Sequence, residues 1–209
     1  MSTEDVAQLV LRERQSRDRG WYEEMAACFA EESVVKMSWY SGSGAGFVRA
    51  THDMAGRGDL AVHRLGPPIV RIDQDRALVE LPLVIERRIE VDGVEADLAS
   101  ACRSQYRAHC GADGVWRIVR ITSIYEKDSL TPALPNTRLD IDPQVLAAYR
   151  PSYRCLAWDL NRKGYQVGDD HLGDDRPEAV RDQYRDEMTW LRESRTPATT
   201  TGSRKDRSA

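Results

Sequence analysis

Two side chains in this sequence have the chemical types and the setting for moving a proton. Asp18 stands in the run Arg17-Asp18-Arg19-Gly20-Trp21-Tyr22, and His63 in Ala61-Val62-His63-Arg64-Leu65-Gly66-Pro67-Pro68. Histidine alone has an unperturbed pKa that lets it both take and give a proton near neutrality. A carboxylate beside it orients the ring and holds the imidazolium that forms. An acid near the end of a first helix and an imidazole on a strand are therefore the parts of a proton-transfer site that needs no cofactor. The condition is that the fold brings them together in a pocket.

The other reactive residues suit less demanding roles. Cys28, Cys102, Cys110 and Cys155 lack C-x-x-C spacing and lack histidines at zinc-finger spacing, so they read as reduced thiols serving as small apolar residues. His52 falls on a helix near the expected pocket mouth, and His109 on a charged strand face. His171 lies among Asp169, Asp170, Asp174 and Asp175, an oxygen set that a hard cation accepts but that loops ordinarily present to water; no metal is assigned. The run Ser41-Gly42-Ser43-Gly44-Ala45-Gly46 precedes a helix, as phosphate-binding loops do, but lacks the Lys-Ser/Thr of a P-loop and the Rossmann spacing. Trp39, Tyr40, Phe47, Met54, Tyr106 and Tyr125 are candidates to surround an aromatic ligand. Tyr106 or Tyr125 is a candidate donor to a developing oxyanion.

Elements must place these residues. Val6, Leu9, Val10 and Glu13 keep the spacing of one helix face, which predicts a helix over Thr3–Arg19, capped by Ser2 or Thr3 and ended by Gly20. A second helix is expected over Trp21–Glu31, a strand over Val34–Tyr40, a flexible turn through the glycines, and a third helix over Phe47–Ala55. Strands are then expected at Pro68–Asp73, Ala77–Glu90, Asp97–Cys110 and Val115–Glu126, separated by tight Asp- and Gly-containing turns. Consecutive hairpins give an antiparallel, strongly curved sheet, and helices before a meander give an α+β fold. Alternation sets Ser100, Cys102, Ser104, Tyr106, Ala108 and Cys110 on one face of the third long strand, and Arg103, Gln105, Arg107 and His109 on the other. That charged face is either solvated or a subunit contact made of ion pairs. Leu130-Thr131-Pro132-Ala133-Leu134-Pro135 reads as irregular. Helices follow at Pro143–Arg150, Tyr153–Lys163 and Arg176–Arg192, and a disordered Thr- and Ser-rich tail from Thr196 to Ala209.

Composition bounds the reading. The chain has 209 residues, 41% hydrophobic and 31% charged, with a net charge of −4, which suits a soluble globular protein and argues against nucleic acid as a partner. No run approaches the roughly 18 apolar residues of a membrane span. The N-terminus, Met1-Ser2-Thr3-Glu4-Asp5, lacks the basic-then-apolar order of a secretion signal, so a cytoplasmic protein is expected.

The element order, together with Asp18 before Trp21-Tyr22, Ala30-Glu31-Glu32-Ser33-Val34, Val62-His63-Arg64-Leu65-Gly66, Asp113-Gly114-Val115-Trp116-Arg117-Ile118 and Ser123-Ile124-Tyr125-Glu126, resembles the SnoaL-like branch of the nuclear-transport-factor-two-like superfamily. Scytalone dehydratase, bile-acid dehydratase, ketosteroid isomerase and polyketide cyclases belong to that group. The resemblance covers roughly residues 5–128. It implies a cone-shaped α+β barrel around a deep apolar pocket; the helical extension expected over residues 129–195, packing on the core or a partner subunit, exceeds the family's minimal fold. It places the dehydratases' helix-end acid on Asp18, with Tyr22 as the neighbouring aromatic, and their strand histidine on His63. It implies catalysis without metal or cofactor, by removal of a proton and loss of a hydroxyl from a hydrophobic aromatic or polycyclic molecule.

The sequence also departs from that pattern. The second histidine of scytalone dehydratase falls near Arg87 or Arg88, of which Arg88 is taken as substrate-facing, and the tyrosine beside the acid is Arg17. The scytalone reaction itself is therefore not expected. A lyase that eliminates water or a small fragment such as formaldehyde is the leading expectation. An isomerase or cyclase with the same site, or a non-catalytic carrier or assembly subunit, is the alternative. The resemblance further implies a homodimer or homotrimer.

Overall fold

The structure, a computed structural model, describes residues 2–193; the tail expected from residue 196 lies outside the described residues. Helix α1 (Thr3–Arg19) opens on a capping box in which Ser2 and Asp5 satisfy each other's backbone N–H, and closes on Gly20 in the left-handed region (φ 72°). Helix α2 spans only Tyr22–Ala27, and strand β1 (Phe29–Met37) starts five residues before its expected place. Phe29, Ser33, Val35 and Met37 of β1 are buried against the core, and that demand overrides the helix-like local spacing. Strand β2 (Tyr40–Ser43) and helix α3 (Gly44–Gly56) replace the flexible turn. The glycine there serves close packing: a Cβ on Gly44 would lie 2.7 Å from Phe29 Cδ1.

Strands β3 (Val62–Leu65), β4 (Ile69–Asp73), β5 (Arg76–Val91), β6 (Val94–Cys110) and β7 (Trp116–Pro132) follow. The sheet runs β2-β1-β7-β6-β5-β3, with β4 also paired to β5. Its long strands are antiparallel, and β1 joins β7 in parallel. Strand β7 continues past its expected end, where Ala96 pairs with Pro132. A proline is tolerated there because it ends the strand and needs no ladder donor. The sheet curves around a core formed with α1 and α3, which is the α+β cone expected.

The extension is built from α4 (Pro143–Ala147), α5 (Arg154–Arg162), the short β8 (Leu172–Gly173) and α6 (Pro177–Arg192). Helix α5 turns Leu156, Ala157 and Leu160 into the core. Helix α6 lies on the outer face of the sheet, where Arg107 donates to Glu187 (2.7 Å) and Gln183 donates to Gln105 (3.1 Å). Part of the charged face of β6 is thus covered by the chain's own helix. Arg103 on the same face pairs with Glu80 and Glu126, and His109 with Asp75. The opposite face of β6, from Ser100 to Cys110, is buried as its alternation predicts. All four cysteines are free and buried. Among the described residues no helix is long and apolar enough to cross a membrane.

Candidate functional site

The last turns of α1 carry Glu13, Arg14, Arg17 and Asp18. Spacings of three to five residues set them on neighbouring parts of one helix surface, facing the inside of the cone. Strand β3 runs beside β5, with His63 opposite Ile85, and His63 is its one buried residue because alternation turns it inward. The two elements meet at Asp18. Its Oδ1 lies 2.6 Å from His63 Nδ1, and its Oδ2 accepts the His63 backbone N–H at 2.8 Å. Both oxygens of one carboxylate therefore fix one residue, ring and backbone together.

Those bonds assign the proton. Asp18 accepts at Nδ1, so Nδ1 carries the hydrogen and Nε2 offers its lone pair. Arg17 Nη1 lies 2.9 Å from Nε2 and donates to it. The chain of contacts is carboxylate, imidazole, guanidinium. Burial lowers the His63 pKa to about 4, and the Arg17 charge adds to the effect against the pull of Asp18. Burial pushes the Asp18 carboxyl up, but the hydrogen bonds from His63 outweigh it, and its pKa falls below the usual value. Burial, with the charge of Arg14, lowers Arg17 to about 10.

The neutral state of His63 carries a stability prediction. Its folded pKa of about 4 lies below the unfolded value of 6.5, so between those limits the unfolded chain binds one more proton than the folded one. Stability is then full above pH 6.5 and falls as pH drops toward 4, by about 3 kcal/mol. Urea unfolding at pH 7 and pH 5 should show this slope, and His63→Gln should remove most of it. His171, whose pKa burial also lowers, supplies a remainder of the same sign. Asp18 adds a separate loss only below its unfolded value of 3.8.

A second buried pair supports the first. Arg14 Nε and Nη2 each donate to Glu13 at 2.5 Å, and Tyr106 Oη donates to Glu13 at 3.3 Å. The Arg14 and Arg17 guanidiniums lie 5.9 Å and 5.3 Å from the Phe47 ring centroid, and Arg17 also lies 5.6 Å from that of Trp39. Such faces attract cations.

Arg14, Arg17 and Trp39 border a cavity of about 30 Å³, room for roughly one water. His63, Arg17, Trp39, Met54 and Tyr125 form part of its wall, and Leu156 and Leu160 of α5 close it. Tyr125 Oη accepts the Ser38 backbone N–H at 2.9 Å. Burial raises its pKa to about 12, so it stays a donor.

The structure brings Asp18, His63, Trp39, Met54 and Tyr125 together. Phe47 and Tyr106 lie in a second layer, Phe47 beneath the arginines and Tyr106 on Glu13. Tyr40 packs on Phe47 and donates to Ser43 O (2.9 Å), away from the cavity wall. Tyr22 stacks edge-on against the exposed His52. Arg88 is corrected: it is exposed and pairs with Asp97 at 2.7 Å, while its neighbour Arg87 faces the cavity. Adjacent strand residues point to opposite faces. Arg87 joins Asp159 of α5 (3.2 Å) to Asp59 (3.5 Å), which also holds Lys163 (2.8 Å) and Tyr165 (2.9 Å). Glu13 was visible in the sequence as an acid on an apolar helix face; the Asp59 and Asp159 contacts join distant segments and left no local signal. Among the described residues no group of three histidines, cysteines or acids is placed to hold a metal ion.

A family model described as SnoaL-like domain matches residues 2–122. Pea pathogenicity protein 2 of Fusarium vanettenii is 30% identical over 84% of this chain and 77% of its own length. An uncharacterized protein of Emericella nidulans is 28% identical over 68% of this chain, which spans 63% of that relative. Among solved structures, a protein of unknown function from Mycobacterium tuberculosis has a TM-score of 0.49 at 17% identity, over 78% of this chain and 96% of its own.

Proposed function

Because the chain belongs to the SnoaL-like domain family, within the NTF2-like superfamily that includes dehydratases and isomerases, we propose that it is a cofactor-independent lyase acting on a hydrophobic aromatic or polycyclic small molecule. The observation that carries this reading is the Asp18–His63 pair, bonded twice, with His63 at the wall of a small cavity. In the reaction His63 Nε2 takes a proton from the carbon next to a carbonyl. Asp18 holds the imidazolium, and Tyr125 donates to the enolate oxygen. The C–H electron pair becomes the new C=C bond as the neighbouring C–O bond breaks. The departing oxygen takes the proton from His63 and leaves as water. A well-placed donor to a developing oxyanion contributes about 3 kcal/mol.

One observation favours a second, non-catalytic reading as a scaffold or assembly subunit: the cavity as folded is small. An aromatic substrate enters only if side chains of the cavity wall give way, Leu156 and Leu160 of α5 being among those that line it. The test is a set of aryl β-hydroxy carbonyl compounds incubated in deuterated water, with deuterium uptake followed by NMR and the conjugated alkene by ultraviolet absorbance. The lyase reading expects both signals from the native chain and neither from His63→Gln. Deuterium uptake without alkene assigns an isomerase, and no signal with any compound favours the scaffold.

A further inference from the structure

Three arginines face the cavity, and two of them are matched by acids. Arg14 is held twice by Glu13, and Arg87 lies between Asp59 and Asp159. Arg17 has no carboxylate within 4 Å among the described residues; the acceptor of its side chain there is His63 Nε2. It makes no other side-chain hydrogen bond among the described residues, and its guanidinium lies over the Trp39 and Phe47 rings. A guanidinium has five donors in a planar fork that fits a carboxylate with two parallel bonds. Leaving such a group buried with most of its donors unused is costly, and an anion in the cavity relieves that cost.

Arg17 also occupies the atom a base needs. While it donates to Nε2, that lone pair accepts no proton from carbon. We infer that the substrate of this site carries a carboxylate, that Arg17 is the residue that receives it, and that the move of Arg17 from His63 to the carboxylate uncovers the base. Arg17 is thus a specificity-determining residue, and this inference rests on the lyase reading above. No proton is consumed in the exchange: Arg17 keeps its charge, the carboxylate replaces the imidazole as acceptor, and Nε2 is left with a free pair. The charged and titratable groups around the ring are Arg14, Arg17 and Asp18 from α1, Arg87 from β5, Asp59 before β3, Cys102 from β6 and Tyr125 from β7. A bound anion beside Arg17 offsets its charge and favours a protonated His63.

The experiment uses the full chain and three probes: benzoate, benzamide of the same shape without the charge, and formate, the smallest carboxylate. Binding is followed by calorimetry and by the His63 ring resonances in NMR. Benzoate is expected to bind at least tenfold more tightly than benzamide. Either anion should shift the His63 resonances and raise its midpoint of titration. Arg17→Gln should abolish the preference for charge, Arg17→Lys should keep part of it, and Arg88→Gln should leave it intact. Should Arg17→Gln fail to fold, Arg17→Lys carries the comparison, with a partial loss expected. Equal binding of benzoate and benzamide, no binding of either anion, or an unchanged preference in the Arg17 variants overturns the inference. A charge preference without His63-dependent turnover leaves the anion site standing and removes the lyase reading. Turnover of neutral substrates without that preference does the reverse.

Discussion

Asp18→Asn is expected to lower kcat by about 10²- to 10⁴-fold on the substrate that the deuterium assay identifies, with little change in fold. General acid–base groups contribute on that scale, and loss of the carboxylate behind a catalytic histidine reaches its upper end. The geometry explains why so small a change has so large an effect. Asp18 uses one oxygen for the His63 backbone and the other for Nδ1. Asparagine keeps one acceptor oxygen, and its amide nitrogen offers a hydrogen where an acceptor is required. If the oxygen stays on the backbone N–H, the amide faces Nδ1 and draws the ring into the opposite tautomer, with its hydrogen on Nε2. The base then points a proton at the substrate. Asp18→Glu, which keeps the charge and moves it, should lose less. Rates measured from pH 5 to 9 beside unfolding curves check this; equal rates in Asp18→Asn and the native chain would sink the assignment.

Glu13→Ala is expected to cost about 3–5 kcal/mol of stability. Glu13 and Arg14 are both fully buried and bonded twice. Burial lowers the Arg14 pKa, and Glu13, Tyr106 and Asp18 together raise it by more, so the guanidinium stays charged. Removing the acid leaves a guanidinium in the core with its partner gone, the arrangement that mutational work on buried pairs finds severe. Tyr106 loses its acceptor as well. The discriminating companion is Glu13→Leu combined with Arg14→Met, which removes both charges and should recover most of the loss. Urea unfolding of the three proteins reads the effect; a single variant as stable as the native chain would show that water reaches Arg14.

How much of this was legible in the sequence differs from element to element. The cone could be read because β5, β6 and β7 are long, alternate cleanly and are separated by turns such as Asp92-Gly93, where both residues adopt positive φ. Helix α2 and strand β1 could not be bounded, because six to nine residues of mixed pattern fit either form and parallel pairing with β7 decided the outcome. Asp18 and His63 were legible as types at the right ends of the right elements. Their mutual bond was not, since it depends on β3 crossing the end of α1. Choosing between Arg87 and Arg88 required the register of β5, because a shift of one residue exchanges the faces. Arg17 was noticed only as a departure from the family's tyrosine. Its contact with Nε2 follows from the helical turn that Asp18 shares.

The floor of the cavity and its ceiling come from different parts of the chain. Asp18 and His63 lie inside the segment matched as a SnoaL-like domain, residues 2–122, whereas Leu156 and Leu160 belong to α5 beyond it. On the lyase reading proposed above, the chemistry and the admission of guests can therefore drift separately over generations: a lineage that reshapes α5 would acquire new clientele while the Asp18–His63 pair stays untouched. Relatives that share the helix-end acid and the strand imidazole but differ after residue 128 should then take molecules of different girth by one and the same reaction.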